Sequence, residues 1–225
     1  MNVFFDLKTR LFGAALLLSF LISSSAMAQD TLRVHFLYGS KPAKGFKKEQ
    51  EKLFGGINGG HVSLECGDGI YGFGPEGRFH LVARKGEKRR HSYFRYDSRE
   101  AFAADSIDKQ YMTIFIPVEP TTIARIDSIH QCYHNDSPYD YAFLGMRCTA
   151  SVYDILAQAG LEKERKQKGI WWKYFYPRRL RNHMVKEAVE NGWPIYIHDG
   201  TEQRKWEREL RRTRKLLEEA EMVSP

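Results

Sequence analysis

The chain has 225 residues, a formal net charge of +7, 13% aromatic residues and three cysteines. That length supports one sizeable core or at most two small ones, and an odd count of cysteines in an oxidising compartment leaves one thiol free or pairs two chains. The basic balance favours anionic partners such as envelope polymers or lipid headgroups. It comes without a nucleic-acid motif, so nucleic acid is not an expected partner.

Lys8 and Arg10 precede an apolar run from Leu11 to Ile22, and the small residues that follow end in Ala26-Met27-Ala28. A basic start, a short apolar stretch and an A-x-A site form the order of a cleavable secretory signal. The run is shorter than the roughly 20 residues a spanning helix needs. The expected organisation is a signal peptide over 1–28, a domain over 29–200 and a charged C-terminal helix over 201–225. The expected location is therefore outside the cytoplasm, in the periplasm or beyond.

Leu32 to Tyr38 is rich in β-formers and alternates, which predicts a first strand ended by Gly39-Ser40-Lys41-Pro42. Phe46 to Phe54 reads as a short helix. His61 to Cys66 and Ile70 to Phe73 flank Gly67-Asp68-Gly69, the pattern of a hairpin. Phe79 to Ala83 is a further strand, and Lys85 to Arg90 a basic loop. Tyr111 to Val118 reads as a buried strand. A helix begins at Pro120, with Ile123, Ile126 and Ile129 on one face. Tyr139 to Arg147 is irregular and aromatic. Cys148 to Ala159 is the clearest helix, with Val152, Ile155, Leu156 and Ala159 as its buried stripe and Gly160 as its stop. Glu162 to Lys168 reads as a charged loop, Pro177 to Asn191 as a helix and Trp193 to Ile197 as a strand. Glu202 to Met222 reads as a charged helix with a thin stripe of Trp206, Leu210 and Leu217. The fold class is α+β.

Cys148 stands at the expected start of a helix, where free N–H groups and the helix dipole stabilise a thiolate. With an odd number of cysteines, it is the one expected to stay free. A thiol nucleophile needs a base. His61 lies on a strand where His61, Ser63 and Glu65 share one face and Val62, Leu64 and Cys66 the other. A strand holds an imidazole at a fixed distance from sulfur, as a nucleophile–base pair requires. His130 and His134 are four apart on one helix, a metal-binding spacing with no evident third ligand. No metal and no cofactor are expected. Trp171, Trp172, Tyr174, Phe175 and Tyr176, flanked by basic residues, suit core packing or peripheral contact with a membrane surface.

Gly59-Gly60-His61-Val62-Ser63-Leu64-Glu65, followed by Gly67-Asp68-Gly69-Ile70-Tyr71-Gly72-Phe73-Gly74, resembles the histidine hairpin of circularly permuted papain-like proteins. These are relatives of the NlpC/P60 cell-wall peptidases and of the lecithin-retinol acyltransferase group. The stretch from Tyr141 to Ser151 resembles their cysteine segment, with Arg147 where Asn often precedes the cysteine. The order, His61 before Cys148, is the permuted one. The resemblance covers roughly Thr31 to His198. It implies a small antiparallel sheet packed on helices and an exported cysteine hydrolase acting on an amide bond, with peptidoglycan peptides as the first substrate class. An acyltransferase or lipid esterase at the envelope is the alternative, and a non-catalytic binding module of the same fold a third. Family members place a polar residue about twelve positions beyond the histidine; here that position is Phe73. Tyr71, Glu65 or a main-chain carbonyl is then expected to orient His61, with Tyr71 the best placed of the side chains.

Overall fold

The computed structural model describes residues 30–48, 60–84, 91–207, 213–215 and 217–219. The expected signal peptide, most of the expected Phe46–Phe54 helix and the basic loop Lys85–Arg90 lie outside these residues.

A six-stranded sheet organises the fold. Its strands are β1 (Asp30–Leu37), β3 (His61–Cys66), β4 (Gly69–Pro75), β6 (Ser92–Ser98), β7 (Tyr111–Val118) and β9 (Ile195–His198), in the order β6-β4-β3-β1-β7-β9. All five pairings are antiparallel. Two small ribbons flank the sheet. One pairs β2 (Ser40–Pro42) with β10 (Arg204–Trp206), and the other pairs β5 (His80–Val82) with β8 (Ala142–Leu144). The helices are α1 (Arg99–Ser106), α2 (Pro120–Asn135), α3 (Cys148–Gln158), α4 (Gln167–Lys173) and α5 (Pro177–Asn191). The protein is thus α+β, as expected. Among the described residues no helix is long and apolar enough to cross a membrane.

Period-two alternation gives the sheet two unlike faces. Leu32, Val34, Phe36, Val62, Leu64, Met112, Ile114 and Ile116 share one face with Tyr71 and Phe73, and all are buried. They join Val152, Ile155 and Leu156 of α3 and Leu180, Met184 and Val185 of α5 in one core. The opposite face is polar under α1. There His35 holds Thr113 through Nδ1 (2.8 Å) and Glu65 through Nε2 (2.9 Å). Arg99 of α1 donates to Glu65 at 2.6 Å and Arg33 pairs with the same carboxylate. Burial alone would push the Glu65 carboxyl up. The hydrogen bonds from His35 and Arg99 and the charge of Arg33 outweigh it and hold the group at about 2.

The α3 helix starts at Cys148, with extended backbone at Arg147 and no side-chain cap. The chain turns out of it at Gly160, whose φ of +85° suits glycine. Pro177 opens α5 and Gly192, at φ +66°, closes it. Two expectations are corrected. Residues 204–206 form a strand paired with Ser40–Pro42, so no helix runs from Glu202, although residues 213–215 and 217–219 are helical. Gln167–Lys173 is helix α4, overlapping what reads as a charged loop.

A buried ion pair fastens β10 to the body. Arg181 is fully buried, lies 4.0 Å over the Tyr38 ring and donates to Glu207 at 2.8 Å. The other Glu207 oxygen accepts the Gly39 N–H at 3.1 Å. Removing one member strands a buried charge, a loss of about 3–5 kcal/mol. Glu207→Ala is therefore expected to lower the urea midpoint by that much stability, whereas an exposed Lys205→Ala leaves it within about 0.5 kcal/mol. An unchanged midpoint for Glu207→Ala would show the pair to be dispensable.

Candidate active site

The hairpin between β3 and β4 sets the site. Gly67, at φ +57°, is the first residue of its two-residue loop, and Cys66 pairs with Gly69. The pairing runs on to Ser63↔Gly72 and stops there, while β4 continues alongside β6 to Pro75. His61 and Val62 thus lie where β3 parts from β4. The start of α3 packs against this opening, and the Val62 N–H, freed from the ladder, bonds the Cys148 sulfur. His61 also forms a side-chain hydrogen bond with Cys148. The structure therefore brings His61 and Cys148 into contact.

Their titration follows from that contact. Burial would raise the Cys148 thiol, which is 4% exposed. The positive charge and hydrogen bond of His61, then the Val62 N–H and the Thr149 hydroxyl, more than reverse this and bring it down to about 7. Burial pushes His61 down, and the Cys148 thiolate beside it pushes it up by more, for a net rise. Each charge stabilises the other, so the thiolate–imidazolium form is accessible near neutral pH. Cys66 is the contrast within the same chain. Its thiol is buried, donates to the Ile123 carbonyl at 3.4 Å and is pushed up to about 12. Cys148 is free as expected, but it is not the one free cysteine: Cys66 and Cys132 are free thiols as well.

Tyr141 completes the immediate surroundings of the sulfur. Its hydroxyl hydrogen-bonds the Cys148 side chain and accepts from the Cys148 backbone N–H. Burial, then the neighbouring sulfur charge, pushes that hydroxyl far above the ordinary tyrosine range, so it stays a donor. Nothing in the sequence singles out Tyr141 from Tyr139 two residues earlier. The only signal is an aromatic segment leading into the cysteine helix. Arg147 stacks on Phe175, 3.8 Å from the ring centroid.

Tyr71 is not brought to His61. It pairs with Leu64, on the opposite face of the sheet from Ser63 and Gly72. Its hydroxyl donates to Asp127 at 2.5 Å and its ring stacks on His130 at 3.8 Å. Glu65 is held by His35, Arg99 and Arg33. Phe73 points into the core against Phe94, Tyr139 and Tyr141. The residue against the imidazole on β4 is Gly72: a Cβ there would stand 3.1 Å from His61 Nε2. That position beside the ring therefore carries no side chain. Gly72 lies outside the left-handed backbone region, so alanine there meets no backbone strain and acts on the ring alone. Gly72→Ala is expected to displace His61 and slow alkylation of Cys148 at pH 7 by about tenfold with little change in stability. An unaltered rate would show that the ring has room to spare.

The other histidines sit in different surroundings. His80 Nδ1 bonds Asp140 at 2.6 Å and its Nε2 meets His91 Nδ1 at 3.0 Å. Asp140 also accepts the backbone N–H groups of Arg84 (2.8 Å) and His91 (3.0 Å), which closes the base of the intervening basic segment. His130 is buried, and burial pushes its imidazole down to about 3. His134 Nδ1 bonds the Phe94 carbonyl at 2.8 Å, and among the described residues neither histidine belongs to a group of three or more metal-ligating side chains. Glu162, His183 and Glu187 offer donor atoms within 4.8 Å of one another. An ion pair between His183 and Glu162 at 2.9 Å accounts for much of that approach. A cavity of about 440 Å³ lined by Tyr71, Tyr96, Asp127 and His130 lies on the α2 side of β4 and includes neither Cys148 nor His61.

Comparison with known protein families, with characterised proteins and with solved structures finds no match to this chain.

Proposed function

We propose that the protein is a cysteine hydrolase of permuted papain-like architecture that works through an acyl thioester on Cys148. The observation that carries this reading is the His61–Cys148 hydrogen bond at the opened end of the β3–β4 ladder, with the thiol lowered to about 7. The thiolate attacks a carbonyl carbon. The tetrahedral intermediate then expels the amine or alcohol, which takes its proton from the His61 imidazolium. Water attacks the thioester and His61 accepts its proton. A carboxylic acid leaves and the thiolate returns. Attack neutralises the sulfur, which frees the Tyr141 hydroxyl to donate to the oxyanion.

A peptide amide of peptidoglycan is the first substrate class, in keeping with an exported chain that resembles cell-wall peptidases. Digestion of purified peptidoglycan with the protein should release new amino termini, and Cys148→Ala should release none. Equal release by both would end the reading. A second reading, an acyl ester at the envelope, is favoured by the aromatic residues around Arg147, the neighbour of Cys148 in the chain: Phe143 and Phe175 make an edge contact at 5.1 Å and both pack on its guanidinium. It predicts release of fatty acid from phospholipid vesicles through a hydroxylamine-labile adduct on Cys148.

A further inference from the structure

Several exposed apolar side chains gather around β5, β8 and α4. On β5, Leu81 is 67% and Val82 58% exposed; beside them on β8, Phe143 is 38% and Leu144 41% exposed. With period two, Leu81 and Phe143 lie on one side of this short ribbon and Val82 and Leu144 on the side of His80 and Ala142, so both sides of the ribbon's end carry exposed apolar atoms. The patch does not end with the ribbon. Phe143 touches Phe175, which carries Arg147 on its face and Tyr176 at its edge (4.7 Å). Trp172, 68% exposed, is tied to the same junction because Arg179 donates to the Trp172 and Lys173 carbonyls.

Charge sharpens the picture. From Lys163 to Arg179 the sequence holds seven Lys or Arg and a single acid, Glu164. That is close to the net charge of the whole chain, +7, concentrated in one short stretch. Lys168 lies one helical turn before Trp172 on α4 and so shares its face. Exposed aromatic and aliphatic side chains amid lysines and arginines match an interface with apolar chains below and anionic headgroups above. Water and a neutral protein surface satisfy only one of those two requirements.

We propose that this face docks on an anionic phospholipid surface, with Leu81, Val82, Phe143 and Trp172 entering the headgroup layer and the basic residues of α4 and the α4–α5 junction holding phosphates. The face begins beside the cysteine, because Arg147 bridges Phe175 and Cys148. Docking therefore presents Cys148 to material at the membrane. The proposal goes beyond the thioester reading and stands whether or not Cys148 is a nucleophile.

The test is co-sedimentation of the mature chain with vesicles of phosphatidylcholine alone or of phosphatidylcholine with 30% phosphatidylglycerol (about a third anionic lipid, where each basic contact contributes appreciably). Binding to the anionic vesicles should be at least about tenfold tighter and weaken with salt. The double variant Leu81→Asp/Val82→Asp should lose at least about tenfold, since two apolar insertions are replaced by charges that anionic lipid repels. If that variant does not fold by circular dichroism, Lys166→Glu/Lys168→Glu should show a comparable loss. Trp172→Phe should remove most of the blue shift in tryptophan fluorescence on vesicle addition. Cys148→Ala should bind like wild type, so failure of the catalytic reading and failure of docking give different results. Equal binding to neutral and anionic vesicles, no binding to either, or full binding by the surface variants would overturn the proposal.

Discussion

Cys148→Ala is expected to lose at least about 10³-fold of any turnover, because removing a nucleophile leaves only binding and oxyanion stabilisation. The fold should be almost unaffected. The thiol is 4% exposed and is a single small group held by hydrogen bonds with His61, the Val62 N–H, Tyr141 and Thr149, so alanine removes little packing. The stability change should stay within about 1 kcal/mol by urea denaturation. A large loss of turnover with an intact urea midpoint separates chemistry from folding. Retained turnover would move the reaction to another group. Neither remaining cysteine is a ready replacement: Cys66 is buried with a thiol pushed up to about 12, and Cys132 lies on α2.

His61→Ala is expected to lower turnover by at least about 100-fold, the lower range for loss of a general base. It also makes a second, independent prediction about the sulfur. His61 is the main group that holds the Cys148 thiol down against burial. With the imidazole gone, burial dominates, and the midpoint for thiolate formation should climb from about 7 to at least the ordinary cysteine range. The sign is fixed: a positive neighbour favours the anion, so its loss disfavours the anion. A His61→Ala variant that loses turnover but keeps a midpoint near 7 would leave His61 as a base and assign the lowered thiol to Val62, Thr149 and the helix start. His80 is no substitute base, because Asp140 and His91 occupy both of its ring nitrogens.

Much of this arrangement can be read in the amino acids, and the exceptions have physical causes. Alternation marks β1, β3 and β7 because one face of each is fully apolar, and the stripe from Val152 to Ala159 marks α3. The short edge and flanking elements are harder. In β6, Tyr93, Arg95 and Tyr96 are exposed, so the strand has little alternation to display. The helix α1 covers a polar face, where Arg99 and Phe102 meet Glu65 and His35 instead of an apolar core. The ribbon of β2 and β10 joins residues more than 160 apart, held by backbone pairing and by Glu207 rather than by a local pattern.

The orienting residue shows how one step of register changes a chemical conclusion. Counting about twelve residues from His61 arrives at Phe73, which belongs to the far face of the sheet. A two-residue loop closing Cys66 on Gly69 instead puts even-numbered positions of β4 on the face of His61, and so brings Gly72 to Nε2. Tyr71, odd-numbered, falls on the other side and finds Asp127. The role of Tyr141 is not legible beyond its place in the aromatic segment before Cys148, because it depends on β8 running beside β5 and returning the chain to the start of α3.

The central claim is that Cys148 and His61 form a thiolate–imidazolium pair near neutral pH. Its most direct test is the rate of Cys148 alkylation by iodoacetamide from pH 5 to 10, followed by peptide mass spectrometry with Cys66 as the internal reference. The thiolate is the reacting form, so the rate reports its population. The account predicts a Cys148 midpoint near 7, a Cys66 that stays unlabelled in the folded protein, and an upward shift of the Cys148 midpoint in His61→Ala. A Cys148 midpoint at about 9 or above in the wild-type protein, unchanged in His61→Ala, would contradict it.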